Sequence, residues 1–240
     1  MKLNVENRSA RKRRAIVEAA TSVFLDKGYD GTTMDDVATL AAVSKPTVYK
    51  HFADKEQLFA EIVRTTTDQI DDLVRLVAGT LVDPGAVETG LAELARQLIA
   101  ALMQPQMLRL RRLVIANAER FPDVGRIWYE QGFERVLTTL ATCFQRLADH
   151  KLLRLDDPLL AANHFAGLLL WIPLNKAMFS GDHRASKADL ELYAAAAIRA
   201  FLAGYGRSSR SASSRMASVA SDASSDARGR RHFTRLGKRK

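Results

Sequence analysis

Lys45, Thr47, Tyr49, Lys50 and His51 fall within seven residues of one another, and each of these side chains can donate a hydrogen bond to a phosphate oxygen or a base edge. Val48 and Phe52 are interleaved with them and give the segment an edge to bury. Ser44 precedes a Lys45-Pro46 pair, the signature of a helix start. Upstream, Thr33 and Asp36 have the spacing of a capping box with Asp in the Glu position. Val37, Ala38 and Ala41 then recur at helical spacing, and Val43 falls in the turn between the two helices. Two short helices around a tight turn, the second of them basic, are suited to docking in a DNA groove. Lys45 and Thr47, near the start of the second helix beside Ser44 and Pro46, are placed for base edges. The Tyr49 hydroxyl is placed for the DNA backbone, because Val48 and Phe52 already take the buried positions. Lys50 and His51 read either as phosphate ligands or as solvent-facing residues. Thr33 and Lys55 stand at helix starts, where backbone N–H groups also bind anions, and both are expected to clamp phosphates.

A second basic cluster, Arg11-Lys-Arg-Arg14, opens the first helix, where positive charge works against the helix dipole. That conflict favours phosphate contact through Arg11 and Arg14 over a merely solvated helix start. Tyr29, just after the helix end at Gly28, reads as packing on the core.

Other chemistries find no footing. No Gly-rich phosphate loop, His-Glu-x-x-His, cysteine pair or Gly-x-Ser-x-Gly elbow occurs, and the five His are scattered. The expectation is therefore no catalytic residue, no metal, no cofactor and no enzyme. The single Cys143 excludes an intrachain disulfide and fits a reducing, cytoplasmic setting. No run of eighteen apolar residues suggests a membrane span, and the first residues lack the apolar core of a secretory signal. The net charge of +9 is a weak guide to nucleic acid, because nearly all the excess lies in residues 207–240, ten basic against two acidic. That tail, dominated by Ser, Arg, Ala, Asp and Gly, should be disordered; its final basic run reads equally as a nonspecific DNA contact or a solubilising end.

The elements that must hold these residues are all helical. Ile16, Ala19, Ala20, Val23 and Phe24 form the stripe of helix 1. Asp54 to about Val77 reads as one long helix, Asp83-Pro84-Gly85 as a break, and further helices cover 86–103, 105–120 and 124–148. The segment 159–179 is apolar almost all round and must be covered on more than one side; 187–203 follows with the small run Ala194–Ala197. Two such helices from each of two copies would build a four-helix bundle about a twofold axis. The fold expected is all-α. A flexible arm (1–10) precedes a three-helix helix-turn-helix domain (11–53), a helical effector-binding and dimerisation domain (54–205) and a disordered basic tail (206–240).

Phe24-Leu-Asp-Lys-Gly28-Tyr29, Thr32-Thr33, Ala42-Val43-Ser44-Lys45-Pro46-Thr47-Val48-Tyr49-Lys50-His51-Phe52 and Asp54-Lys55-Glu56-Gln57-Leu58 together resemble the DNA-binding domain of TetR-family repressors. The turn departs from the family's pattern in carrying Ala42 where Gly is common; a positive φ there would cost about 1 kcal/mol. Arg112-Leu-Val-Ile-Ala, Glu119-Arg120-Phe121-Pro122, Trp128-Tyr129-Glu130, Leu155-Asp156-Asp157-Pro158 and Phe201-Leu202-Ala203-Gly204-Tyr205 resemble the C-terminal domain of the AefR-like subgroup. The resemblance implies a homodimeric, ligand-responsive regulator of double-stranded DNA, an operator with dyad symmetry, and a Tyr49 contact to the DNA backbone. A small apolar or amphipathic effector is expected between the long helices, with Trp128, Phe133, Phe144, His164 and Trp171 as candidate lining, although aromatics at helical spacing are more often plain core and His164 reads equally as a satisfied core residue. The competing expectation is an architectural or ligand-independent DNA binder, or a helical interaction module.

Overall fold

The computed structural model describes residues 7–68, 73, 79, 87–180 and 185–207. The expected second half of the helix after Asp54, the break at Asp83-Pro84-Gly85, residues 1–6 of the expected arm and nearly all of the tail lie outside the described residues. Residues 8–10, expected in the flexible arm, already belong to the first helix, which Asn7 caps. The described chain forms α1 (Arg8–Gly31), α2 (Met34–Leu40), α3 (Lys45–His51), α4 (Lys55–Asp68), α5 (Val87–Leu102), α6 (Pro105–Asn117) and α7 (Pro122–Ile127). A π-helical stretch, Trp128–Glu134, runs from α7 into α8 (Arg135–Asp149), and α9 (Pro158–Phe179) and α10 (Lys187–Tyr205) complete the set. Among the described residues the only β pairing is an isolated bridge between Leu153 and Gly206. The expected all-α class is what the chain adopts.

Local chemistry sets most of the boundaries. Asn7 caps α1, accepting from the Ser9 amide at 3.1 Å. Gly28, at φ 71°, breaks α1 before its last turn, and Thr32 Oγ1 donates to the Gly28 carbonyl at 2.7 Å. The Thr33–Asp36 capping box forms at the start of α2, and Ser186 with Asp189 builds a second one at the start of α10. Asp157 caps α9 by accepting from the amides of Leu159 and Leu160.

Two hydrophobic cores result, and they do not divide at residue 53. The first joins Phe24, Val37, Val48 and Phe52 of α1 to α3 and its flank with Phe59 and Ile62 of α4, and also with Leu110, Val114, Phe121 and Val124 of α6 and α7. The expected boundary therefore falls inside one packed unit: Phe59, Ile62 and Val63 in the first part of α4 complete the core that α1, α2 and α3 begin. The second core joins α5, α8, α9 and α10 around Phe144, whose ring lies 5.6 Å from Phe165 and 5.0 Å from Phe201.

Candidate nucleic-acid interface and cavity

The turn between α2 and α3 is closed by its backbone. The Val43 amide donates to the Ala38 carbonyl at 3.0 Å and the Ala42 amide to Thr39 at 3.2 Å, the paired bonds of a Schellman ending. That ending needs a left-handed residue at position 42, and Ala42 has φ 52°. The departure noted in the sequence thus falls where glycine would relieve strain.

From this turn α3 emerges with Val48 buried and Phe52 buried just behind it, while Lys45, Pro46, Tyr49 and Lys50 are exposed and Thr47 and His51 half-buried. The two buried positions seat the helix, and the polar remainder forms an outward face, as the spacing anticipated. Ser44 stands at the N-cap of α3, but its hydroxyl bonds Thr47 Oγ1 at 2.8 Å instead of a backbone amide. Lys45 is held by Asp35 of α2, Nζ to Oδ1 at 2.9 Å, and this pairing raises the lysine's pKa. The pair is open to solvent, so a phosphate can replace the carboxylate at small cost. Asp36 is paired in turn with Lys27 at 2.8 Å, and that bond, with those from Thr33, holds its carboxyl below the usual range. The two carboxylates beside the recognition face are therefore each matched by a lysine. Thr33 is exposed, but its hydroxyl is already committed to Asp36.

Two basic residues act within the fold. Lys55 Nζ donates to the carbonyls of Tyr29 at 2.7 Å and Thr32 at 3.0 Å and lies 4.4 Å from the Tyr29 ring centre, so it ties the end of α1 to α4 and keeps one donor for a phosphate. Arg13, between Arg11 and Arg14, pairs with Glu61 and lies over the Phe52 ring at 5.0 Å, bolting α1 to α4. Arg11 and Arg14 point outward, and Arg14 approaches Glu18 at 3.8 Å. The paired basic residues were not distinguishable by type; only the arrival of Glu61 and the α1 carbonyls from elsewhere in the chain separates them.

Behind the second core's near edge lies a cavity of about 50 Å³, bounded by Leu98 of α5, Arg111 of α6, Trp128 and Phe133 of the π-helical stretch, and Leu137 and Leu140 of α8. Trp128 and Phe133 line it as expected. Three expected residues do not. Phe144 is spent in the aromatic cluster with Phe165 and Phe201, His164 is exposed with Nδ1 2.6 Å from the Tyr205 hydroxyl, and Trp171 is 71% exposed on the outer side of α9. For His164 and Trp171 the reason is rotational, since on a helix apolar all round, as α9 is, periodicity does not say which side meets the cavity. Phe144 is on the buried face of α8, but that face meets α9 and α10 at its position. Arg111 and the π-helical turn carried no sequence signal, since an arginine among Arg109 and Arg112 reads as surface.

α6 connects the two regions. Leu110 and Val114 enter the first core, Met107 and Arg111 face the cavity, and Arg112 Nη1 donates to the Ala177 carbonyl of α9 at 2.7 Å. Trp128 likewise packs on the first core while lining the cavity.

Along α9 the side chains of Leu160, Leu168, Trp171, Ile172 and Phe179 are exposed, and Leu192 of α10 is exposed too. Phe179 is 86% exposed. Exposed apolar side chains at helical spacing form a stripe that one copy of the chain leaves uncovered.

Known proteins fit this arrangement. Residues 16–62 match the family model for bacterial regulatory proteins of the tetR family, and residues 89–207 that for the AefR-like transcriptional repressor C-terminal domain. A solved chain from Mesorhizobium loti, assigned to the TetR family of transcriptional regulators, is 55% identical with a TM-score of 0.80, covering 84% of this chain and 100% of that one. The flavonoid-responsive regulator FrrA is 27% identical with a TM-score of 0.66, covering 82% of this chain and 97% of its own. The transcriptional activator FasR of Mycolicibacterium smegmatis is 36% identical over 72 residues, so the match spans 30% of this chain and 33% of that relative. Among the described residues no helix is long and apolar enough to cross a membrane. The exposed polar face of α3, the two-core plan and the near-complete overlap with the Mesorhizobium loti chain lead to one conclusion: this chain belongs to the TetR family of helix-turn-helix, DNA-binding transcriptional regulators.

Proposed function

We propose that the chain is a cytoplasmic repressor that binds a pseudo-palindromic operator as a homodimer and leaves it when a small effector occupies the cavity. The observation that carries this is the uncovered stripe of α9 and α10 on a molecule whose α3 presents Lys45, Tyr49 and Lys50 outward. Burying large apolar side chains such as Trp171 and Phe179 contributes about 1.5–3 kcal/mol each, which favours a second copy over solvent. The dimer then holds two α3 helices at one separation, and each enters a major groove. Lys45 and Thr47 read base edges at the start of α3, with Ser44 and Pro46 alongside. Tyr49, Lys50, His51, Arg11, Arg14 and the spare donor of Lys55 grip phosphates, and Thr33 does so by exchanging its bond to the Asp36 carboxylate.

The effector acts through α6 and Trp128, which touch both the cavity and the DNA-binding core. A ligand that fits only one setting of these elements shifts the population toward a spacing the operator does not accept. The repressor sign rests on the C-terminal family, while FasR is described as an activator. Selection of bound fragments from random duplex DNA, followed by footprinting, tests the proposal. A bounded site with dyad symmetry is expected; uniform, salt-sensitive coating that depends on residues 207–240 would instead support the architectural reading.

A further inference from the structure

Arg111 is the one ionisable side chain among the described residues that line the cavity. The rest of that wall is aliphatic or aromatic, and Trp128 adds a single indole N–H. The neighbouring Arg112 donates to the Ala177 carbonyl, whereas no described carboxylate, carbonyl or hydroxyl pairs with the Arg111 guanidinium. Burial lowers its pKa with no opposing acceptor to raise it. A guanidinium carries five donors in a planar fork, and keeping them unpaired against an apolar wall is costly.

We infer that the cavity takes an amphipathic carboxylate, its apolar acyl or aryl body against Leu98, Leu137 and Leu140 and its carboxylate across the fork of Arg111. The inference rests on the proposed reading of this cavity as the effector site. The fork matches a carboxylate with two parallel N–H···O bonds, and the apolar wall around a half-buried Arg111 limits competition from water. A neutral amide isostere fills the same space but offers the fork one acceptor oxygen, no charge, and an N–H turned against its second arm, so the site discriminates against it. At about 50 Å³ the cavity holds only a few waters, so the body must open it. Met107 is adaptable, and the π-helical turn from Trp128 to Glu134 lies on the same wall. Opening on that side displaces Trp128, which packs on the DNA-binding core.

Calorimetric titration of the full chain with two matched pairs tests this: octanoate against octanamide, and 3-phenylpropanoate against 3-phenylpropanamide. At least one carboxylate is expected to bind about tenfold or more tighter than its amide. Arg111→Met should erase the preference by weakening the acid far more than the amide, and should raise the thermal midpoint of the ligand-free protein, since an unpaired charge has been removed. Arg111→Lys keeps the charge without the fork and should fall between the two; it carries the test should circular dichroism find the Met variant unfolded. Failure of both carboxylates to bind, equal binding of acid and amide, or a preference that survives in Arg111→Met or is undiminished in Arg111→Lys overturns the inference. Operator binding measured on the same preparation without probe separates the two claims, because its absence counts against the repressor proposal alone. Operator release by a neutral flavonoid and by neither acid would overturn the carboxylate inference and leave the effector reading standing.

Discussion

The ring of Phe121 lies 4.6 Å from the ring of Tyr29, joining the start of α7 to the end of α1. Both residues are buried, and beside them Arg120 Nη1 reaches Asp30 Oδ1 at 2.8 Å and its guanidinium lies 5.2 Å from the Tyr29 ring centre. The exposed ion pair contributes at most about 1 kcal/mol, so the aromatic contact dominates this junction. Phe121→Ala is expected to cost roughly 3–5 kcal/mol and to loosen α7 from α1 inside the first core. Scanning calorimetry should show a lowered midpoint; a midpoint equal to that of the wild type would contradict the role of this contact.

Tyr49 and Lys55 separate DNA contact from fold. Tyr49→Phe should weaken operator binding roughly three- to tenfold through the lost hydroxyl. Its stability should stay within about 0.5 kcal/mol of wild type. Lys55→Met strips the carbonyls of Tyr29 and Thr32 of their donor, a loss of roughly 1–3 kcal/mol in a urea titration. Wild-type stability in Lys55→Met would show that the ammonium is not needed to close α1.

Ala42 supplies a gain-of-stability test. At φ 52° an alanine carries a strain that glycine does not, so Ala42→Gly should stabilise the protein by about 1 kcal/mol with the urea slope unchanged. A destabilised variant would mean that the turn does not strain its Cβ.

Glu61 predicts an acid limb. Its bond to Arg13 first, and that to Arg64 after it, hold the folded carboxyl below its ordinary range. A depressed folded pKa means stability that is fully present above the unfolded value, about 4.3 for an unperturbed Glu, and is lost as pH falls through the lower folded value. Glu61→Gln should flatten this part of the stability profile below that pH, and equal slopes in the two proteins would contradict it.

The helix-turn-helix was legible because its signals are local. The Thr33–Asp36 box, the Ser44-Lys45-Pro46 start and the Val48–Phe52 edge each act within a few residues, and they set α2 and α3 where the structure has them. The alanine at the turn could be priced before its φ was known. The cavity was not legible in the same way. Phe133 and Phe144 are alike in type and both sit on apolar faces, and only the packing of α5 and α10 decides that one borders space and the other fills it. Arg13, Arg111 and Lys55 were hidden for the same reason: a basic residue is assigned to surface or fold by partners that arrive from distant segments.

The central claim is that two copies, joined along α9 and α10, present two α3 helices to one duplex. Sedimentation of the protein with its selected operator measures this directly, in wild type and in Trp171→Asp. Two chains per duplex are expected for the wild type, and a monomer that has lost operator binding for the variant, its helical content unchanged. A single wild-type chain occupying the operator, or full operator affinity in a monomeric Trp171→Asp, would contradict the account.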